Sequence, residues 1–282
     1  MKKFAVLIDS TVYLSEKEIK DHDISVVSLN VVESTISYRE IDVDNEFIFT
    51  KQAQGKSFTT SQPSPGEFLE AFEALIGKGY EKVFCVLLSK QLSGTFQSAN
   101  LAKKMLDDPQ KVYVFDTNQA AYGNEMLTLE LVEMIEQNIP YDDIIERMNR
   151  IIKNSRLMFT VENLFSLSKG GRLSTTQAAI GTILRIKPII KIIDGKLELV
   201  KKERTRNNVH KYFIENIIED SKGFEKITFR ITNTYSQDSA LELLDAIKEA
   251  FPKSTIVFTN YLGPVFSIHV GNKGYGISWF AE

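Results

Sequence analysis

Four short apolar runs, Lys3 to Ile8, Ile24 to Leu29, Lys82 to Leu88 and Val112 to Phe115, are rich in Val, Ile and Phe, with helical patterns between most of them. Runs this short and continuously apolar suit strands buried on both faces, and parallel strands need a long return path that a helix supplies. The alternation therefore points to a largely parallel sheet covered by helices. Ser64-Pro65-Gly66-Glu67 combines an N-cap serine, a proline at the first helical position and a glutamate three residues after the cap. Phe68, Leu69, Phe72, Leu75 and Ile76 follow at helical spacing, which predicts a helix starting at Ser64. Two more helices are predicted between Ala120 and Asn154, parted at Asn138-Ile139-Pro140.

After Asn154 the pattern changes. Arg156 to Val161 reads as a strand, Lys187 to Ile193 and Leu197 to Lys202 as a hairpin turning at Asp194-Gly195, and Ile227 to Thr232 and Thr255 to Asn260 as further strands. Helices near Asn208 to Ser221 and Gln237 to Ala250 would cover a mixed sheet. A chain of 282 residues exceeds what one core usually supports. Two α/β domains are expected: 1–154, mostly parallel, and 155–282, mixed.

Charge and composition exclude several function classes. The formal charge is −3, with 34 basic and 37 acidic residues and no dense Lys/Arg block, so neither nucleic acid nor an anionic membrane is an expected partner. No stretch approaches the roughly 18 apolar residues of a membrane span. The opening Met1-Lys2-Lys3 leads into a short apolar run interrupted by Asp9, which suits a first buried strand rather than a signal peptide. With a single Cys85 there is no intrachain disulfide, and a cytoplasmic protein without an integral membrane segment, at most touching a membrane transiently, is expected. Cys85 sits in Val83-Phe84-Cys85-Val86-Leu87-Leu88 and reads as a small core residue. Three histidines, His22, His210 and His269, and no cysteine cluster argue against a metal site.

Three polar stretches follow apolar strands: 59–64, 92–98 and 263–271. Hydroxyls, backbone N–H groups and a histidine suit the grip on a single small oxyanion, a carboxylate or phosphate head. Ser93 opens an apparent helix, Phe96 to Leu106, and either caps it or meets the ligand; Gly94 would let a ligand approach the backbone. Thr59-Thr60-Ser61-Gln62-Pro63 reads as a polar loop with more hydroxyls than a turn requires, making Thr60 and Ser61 candidate donors. In 263–271, strand alternation would put Phe266, Ile268 and Val270 on one face and Val265, Ser267 and His269 on the other. His269 is by default structural, and no Ser-x-Gly elbow or fixed acid accompanies it. Asp9-Ser10-Thr11 tempts an aspartyl-phosphate reading, but Thr11 stands where the second aspartate would be. Lys169-Gly170-Gly171-Arg172-Leu173-Ser174 places a double glycine before an arginine and a further helix start, so Arg172 either reaches an anion bidentately or lies at the surface. Arg204 and Arg206 belong to a mostly basic segment at a strand-to-helix passage, ordinarily a solvated face.

Taken in order and spacing, Ile8-Asp9-Ser10-Thr11, Thr60-Ser61-Gln62-Pro63-Ser64, Leu92-Ser93-Gly94-Thr95-Phe96-Gln97-Ser98-Ala99, Phe115-Asp116-Thr117, Lys169-Gly170-Gly171-Arg172 and Gly263-Pro264 through His269-Val270-Gly271 resemble the DegV family over nearly the whole chain. The resemblance implies two α/β domains with an acyl chain buried in a tunnel and its carboxyl group near their junction. It implies a fatty-acid-binding protein, not itself an enzyme, that presents a long-chain fatty acid to a dihydroxyacetone-kinase-like, ATP-binding fatty acid kinase subunit for acyl-phosphate formation. An acyltransferase would then use the acyl phosphate in phospholipid synthesis. The only bound molecule implied is the fatty acid, with no cofactor. Carried over by position, Thr60, Ser61 and Ser93 would hold the carboxyl group, Gly94 and Thr95 line its approach, and His269 complete the polar end. Arg172, Arg204 and Arg206 would dock the partner or align the head group. Absence of a Gly-x-x-x-x-Gly-Lys-Ser/Thr loop agrees with nucleotide held elsewhere. Rival readings are an esterase using Ser93 with His269, and a lipid sensor without a kinase partner.

Overall fold

The computed structural model describes residues 3–162, 164–173 and 186–282, the side chain of Asn260 left aside; Ser174, the further helix start, lies outside them. Strands β1 (Phe4–Asp9), β2 (Ser25–Val27), β6 (Lys82–Leu87) and β7 (Val112–Asp116) form a fully parallel sheet in the order β2-β1-β6-β7. Alternation along these strands feeds two cores. Ala5, Leu7, Val83, Cys85 and Leu87 face α3 (Pro65–Gly77) and α4 (Thr95–Met105), burying Phe68, Phe72 and Ala99 among them. Val6, Ile8, Phe84 and Val86 face the other way, onto Leu127 and Leu131 of α5 (Tyr122–Glu136) and Ile144 and Met148 of α6 (Tyr141–Asn154). The short α1 (Glu16–Asp21) links β1 to β2.

The cap read at Ser64 is present as expected. The Ser64 hydroxyl accepts from Glu67 N at 3.3 Å, and Ser64 N donates to the Glu67 carboxylate at 2.7 Å. The helix break at Asn138-Ile139-Pro140 is likewise present.

A six-stranded mixed sheet forms the second half, in the order β10-β9-β8-β13-β11-β12. It comprises β8 (Ser155–Thr160), β9 (Lys187–Ile193), β10 (Lys196–Glu203), β11 (Ile227–Asn233), β12 (Thr255–Tyr261) and β13 (Tyr275–Ala281); only β11 and β12 pair in parallel. The β9–β10 hairpin turns at Asp194 and Gly195, with φ of 49° and 78°, the two left-handed residues of a tight hairpin turn. Helices α8 (Arg206–Asp220) and α9 (Gln237–Ala250) cover one face through Val209, Phe213, Leu243 and Ile247. On β13, Trp279 joins this core while its neighbour Phe280 joins the core beneath α5 and α6, so those helices lie between the two sheets.

Two segments depart from the sequence reading. Residues 59–63 are not simply a loop: β5 (Phe58–Ser61) pairs with β3 (Asn30–Glu33), which pairs in turn with β4 (Ile36–Arg39), giving a small antiparallel sheet backed by α2 (Asn45–Ala53). Threonines are good strand formers, and Phe58 supplies the buried anchor. Residues 264–270 are a helix, α10 (Pro264–Val270), not a strand. Pro264 occupies its first position, where the missing N–H costs nothing, and Val265 N donates to the buried Glu40 carboxylate at 3.0 Å. Val265 and Ile268, three apart, then face one cluster with Leu29, Val31 and Ile48. The short α7 (Phe165–Lys169) lies against α10.

Candidate functional site

A cavity of about 880 Å³, counting its mouth and the space open to solvent, opens where these pieces meet. Its walls come from both sides of residue 154: Leu29, Leu88 and Leu92 from the first half, Leu157, Phe159 and Leu197 from the second. The polar side chains gather from four separate elements. Thr60 and Ser61 arrive on the edge strand β5, Ser93 on the loop between β6 and α4, Arg172 just after α7 and His269 on α10; all five line the cavity.

The central pair is Thr60 and His269, whose Oγ1 and Nε2 are 2.9 Å apart. Burial, with the nearby Arg172 charge, pushes the His269 pKa down to about 4, so the imidazole is neutral near pH 7. Its other nitrogen, Nδ1, is buried without a partner among the described residues. Gly170 makes room for that ring: a methyl group there would come within 2.4 Å of His269 Nδ1. The first glycine of the double pair thus serves a contact from a distant helix. The second, Gly171, adopts φ +73° and turns the chain so that Arg172 points back to the cavity wall. There its Nε donates to Leu92 O at 3.2 Å and Nη1 to Gly170 O. No carboxylate among the described residues pairs with this half-buried guanidinium, and burial lowers its pKa.

Ser93 Oγ accepts from Thr95 N at 3.3 Å and lies 2.8 Å from Thr95 Oγ1. The N-cap of α4 is Gly94 rather than Ser93; the serine hydroxyl binds one residue further on, and Ser93 also lines the cavity. Gly94 and Thr95 do not line the cavity. Thr95 is fully buried beneath Ser93, and Gly94 is where Gln62 packs, since a Cβ there would lie 3.0 Å from the Gln62 amide. Gly94 brings two polar stretches together and Thr95 holds the Ser93 hydroxyl, rather than lining the approach. Arg204 and Arg206 also stand outside the cavity wall: both are exposed, and Arg206 pairs with Glu242 at 2.7 Å.

Two other candidates are occupied elsewhere. Asp9 is fully buried, its oxygens accepting from Thr11 N and Leu88 N at 2.9 Å, so it ties the ends of β1 and β6 together. No hydrogen bond joins Ser93 to His269: the serine's partner is Thr95 and the imidazole's is Thr60.

Glu40 is the residue that sequence reasoning passed over. It sits in Arg39-Glu40-Ile41-Asp42, which looks like a solvated turn. Yet it is buried and receives hydrogen bonds from Ser10 Oγ, Tyr13 OH and Val265 N, fastening the helix that carries His269. Burial raises its pKa to about 7.

The family model described as "Uncharacterised protein, DegV family" matches residues 3–282. A DegV domain-containing protein of Listeria monocytogenes is 33% identical over 99% of this chain and 98% of its own length. Among solved structures, a DegV family protein from Thermus thermophilus described by its fatty acid binding is 27% identical with a TM-score of 0.89, over 99% of this chain and all of that one. DegV of Bacillus subtilis, described as a fatty acid binding protein, is 30% identical with a TM-score of 0.87 over the full length of both. With the fold, the ordered motifs and full-length similarity in agreement, the chain belongs to the DegV family.

Proposed function

We propose that this protein buries a long-chain fatty acid in the 880 Å³ cavity, with its carboxyl group at the Thr60–His269 pair. The observation that carries the reading is a largely apolar cavity into which Thr60, His269 and Arg172 bring a small polar cluster. Fatty acid binding described for the similar Thermus thermophilus and Bacillus subtilis proteins supports it. About 14 methylenes at roughly 0.8 kcal/mol each give on the order of 11 kcal/mol of gross transfer energy, offset by lost ligand freedom and carboxylate desolvation. Micromolar to nanomolar affinity, about −8 to −12 kcal/mol, is the resulting range. In this reading Thr60 donates to the carboxylate while His269 Nε2–H holds the Thr60 oxygen, and Ser61, Ser93 and Arg172 complete the head-group end of the site. The two parts meeting at the cavity are 1–154 and 155–282.

The chemistry assigned to the bound acid is phosphorylation by an ATP-binding kinase subunit, with an acyltransferase consuming the acyl phosphate. Hydroxyl donors suit presentation, because they hold the carboxylate while leaving an oxygen free to attack a phosphorus atom. An esterase is disfavoured: a histidine with a pKa of about 4, bonded to Thr60 rather than Ser93, is a poor base near pH 7. Mass spectrometry of an organic extract from the never-denatured protein is the first test, and a stoichiometric fatty acid, lost in a Thr60→Ala, Ser93→Ala double variant, is expected. An empty protein that takes up no added fatty acid sinks the reading. Recovery of a nucleotide-binding kinase from lysate on the immobilised protein tests the partner.

A further inference from the structure

A second groove shares Thr60, Arg172 and His269 with the apolar cavity, so the two spaces meet at these residues. It offers about 980 Å³, counting the part open to solvent. Lys56, Lys169 and Arg172 line it, and no aspartate or glutamate among the described residues does. Neither lysine has an ion-pair partner among the described residues; Glu33, the carboxylate whose pKa Lys56 helps to lower, is held by Lys51. The Arg172 guanidinium meets only the carbonyl oxygens of Leu92 and Gly170. His269 is 8% exposed, and its unpartnered Nδ1 lies against Gly170, a residue that lines this groove and not the apolar cavity.

A fatty acid leaves this charge distribution unbalanced. Its single negative charge is met within the cavity by hydroxyls, a neutral imidazole and the Arg172 guanidinium that both spaces share, while two further cations, Lys56 and Lys169, face only the groove. A phosphoryl group brings a charge of about −1.5 to −2 and three acceptor oxygens. We infer that the groove is a phosphoryl subsite in which Lys56 and Lys169 hold the phosphate of an acyl phosphate whose tail occupies the apolar cavity. The inference rests on the fatty-acid reading above. Its consequence is that the protein grips the phosphorylated form of its ligand more tightly than the free acid. Both lysines are exposed, so the preference is moderate, roughly tenfold, and weakens as salt screens it.

The test displaces a fluorescent fatty acid from the delipidated full-length protein with palmitate or with 2-oxoheptadecylphosphonate, a non-hydrolysable mimic of palmitoyl phosphate. At low salt the wild type prefers the phosphonate about tenfold; Lys56→Ala, Lys169→Ala loses the preference with palmitate affinity unchanged, and Lys56→Glu, Lys169→Glu reverses it. A preference that survives both double variants overturns the subsite. A non-hydrolysable ATP analogue or inorganic phosphate that binds palmitate-loaded protein in a lysine-dependent way, without any preference for the phosphonate, also overturns it, assigning the groove to a separate phosphate. A protein that binds neither palmitate nor phosphonate refutes the fatty-acid reading and this one with it. Binding of both without lysine dependence refutes the subsite alone.

Discussion

Replacing Gly170 by alanine probes the head-group geometry without touching a hydrogen-bonding atom. The residue has φ −75° and ψ −7°, which alanine adopts freely, so the backbone offers no objection. The obstacle is the imidazole: the new methyl stands 2.4 Å from His269 Nδ1 and 2.8 Å from Cε1, where ordinary contact begins near 3.4 Å. The ring must retreat by about 1 Å. A shift of that size along the 2.9 Å Thr60–His269 bond leaves the window of about 2.7–3.2 Å in which such bonds are strong. Losing the bond costs about 1–1.5 kcal/mol, or roughly a 5- to 12-fold weaker Kd for a fatty acid. Thr60→Val, which deletes the hydroxyl at nearly constant shape, removes that bond and the donor to the carboxylate as well, and should cost more. Because the His269 bond is already absent in Thr60→Val, the double variant should bind about as well as Thr60→Val alone. The assay is titration with a fluorescent fatty acid across the four proteins of the cycle. Additive losses, or wild-type affinity in Gly170→Ala, would refute the claim that Gly170 acts through the His269 ring.

Other expectations concern pH and docking. The folded-state pKa of Glu40 is raised to about 7 from 4.5, so its protonated form stabilises the fold at low pH, and that contribution is lost as pH rises from about 4.5 to 7. At about 1.4 kcal/mol per pKa unit the loss is on the order of 3 kcal/mol. Denaturation midpoints at pH 5 and pH 8 should therefore fall further in the wild type than in Glu40→Gln, and equal falls would contradict the assignment. His269 is depressed to about 4 from 6.5, so its contribution is present above about 6.5 and is lost as pH falls toward 4. An NMR titration of its ring should show a neutral imidazole throughout pH 5–8, and a midpoint above 6 would mean the ring is solvated. Gly195→Ala meets both a left-handed φ and a methyl 2.5 Å from Ser89 Oγ, and should lower stability by about 1–3 kcal/mol in chemical denaturation. An unchanged midpoint would show that the hairpin tip is not seated on that loop.

Much of the fold was legible because local chemistry and burial agree. Ser64-Pro65-Gly66-Glu67 caps its helix, Asp194-Gly195 turns its hairpin, and Leu7 and Ile8 diverge to opposite faces as strand alternation requires. Reading 264–270 as a strand failed because a seven-residue segment fits both periods; Pro264 and the distant Glu40 carboxylate decide the matter, and only the first is local. The same limit hid Glu40 itself, whose burial depends on Ser10, Tyr13 and Val265 meeting around it. Of the site, the hydroxyls of 60, 61 and 93, with Arg172 and His269, could be read from residue type and motif, and they share one cavity. Gly94 and Thr95 illustrate the converse, residues next to a cavity-lining hydroxyl that serve packing. Gly170 could be noticed as part of a double glycine, yet its purpose is visible only where His269 crosses it.

Helices α5 and α6, lying between the parallel and the mixed sheets, bear on how the molecule comes apart. Scission of the chain between residues 154 and 155 would leave these helices with one apolar side open to water, and would strip Phe280 of the partners it finds among Leu127, Leu131 and Ile144. Neither fragment would retain a closed interior. The two halves should therefore melt in a single cooperative step, and slow amide exchange should extend from β1 through α5 to β13 as one protected band.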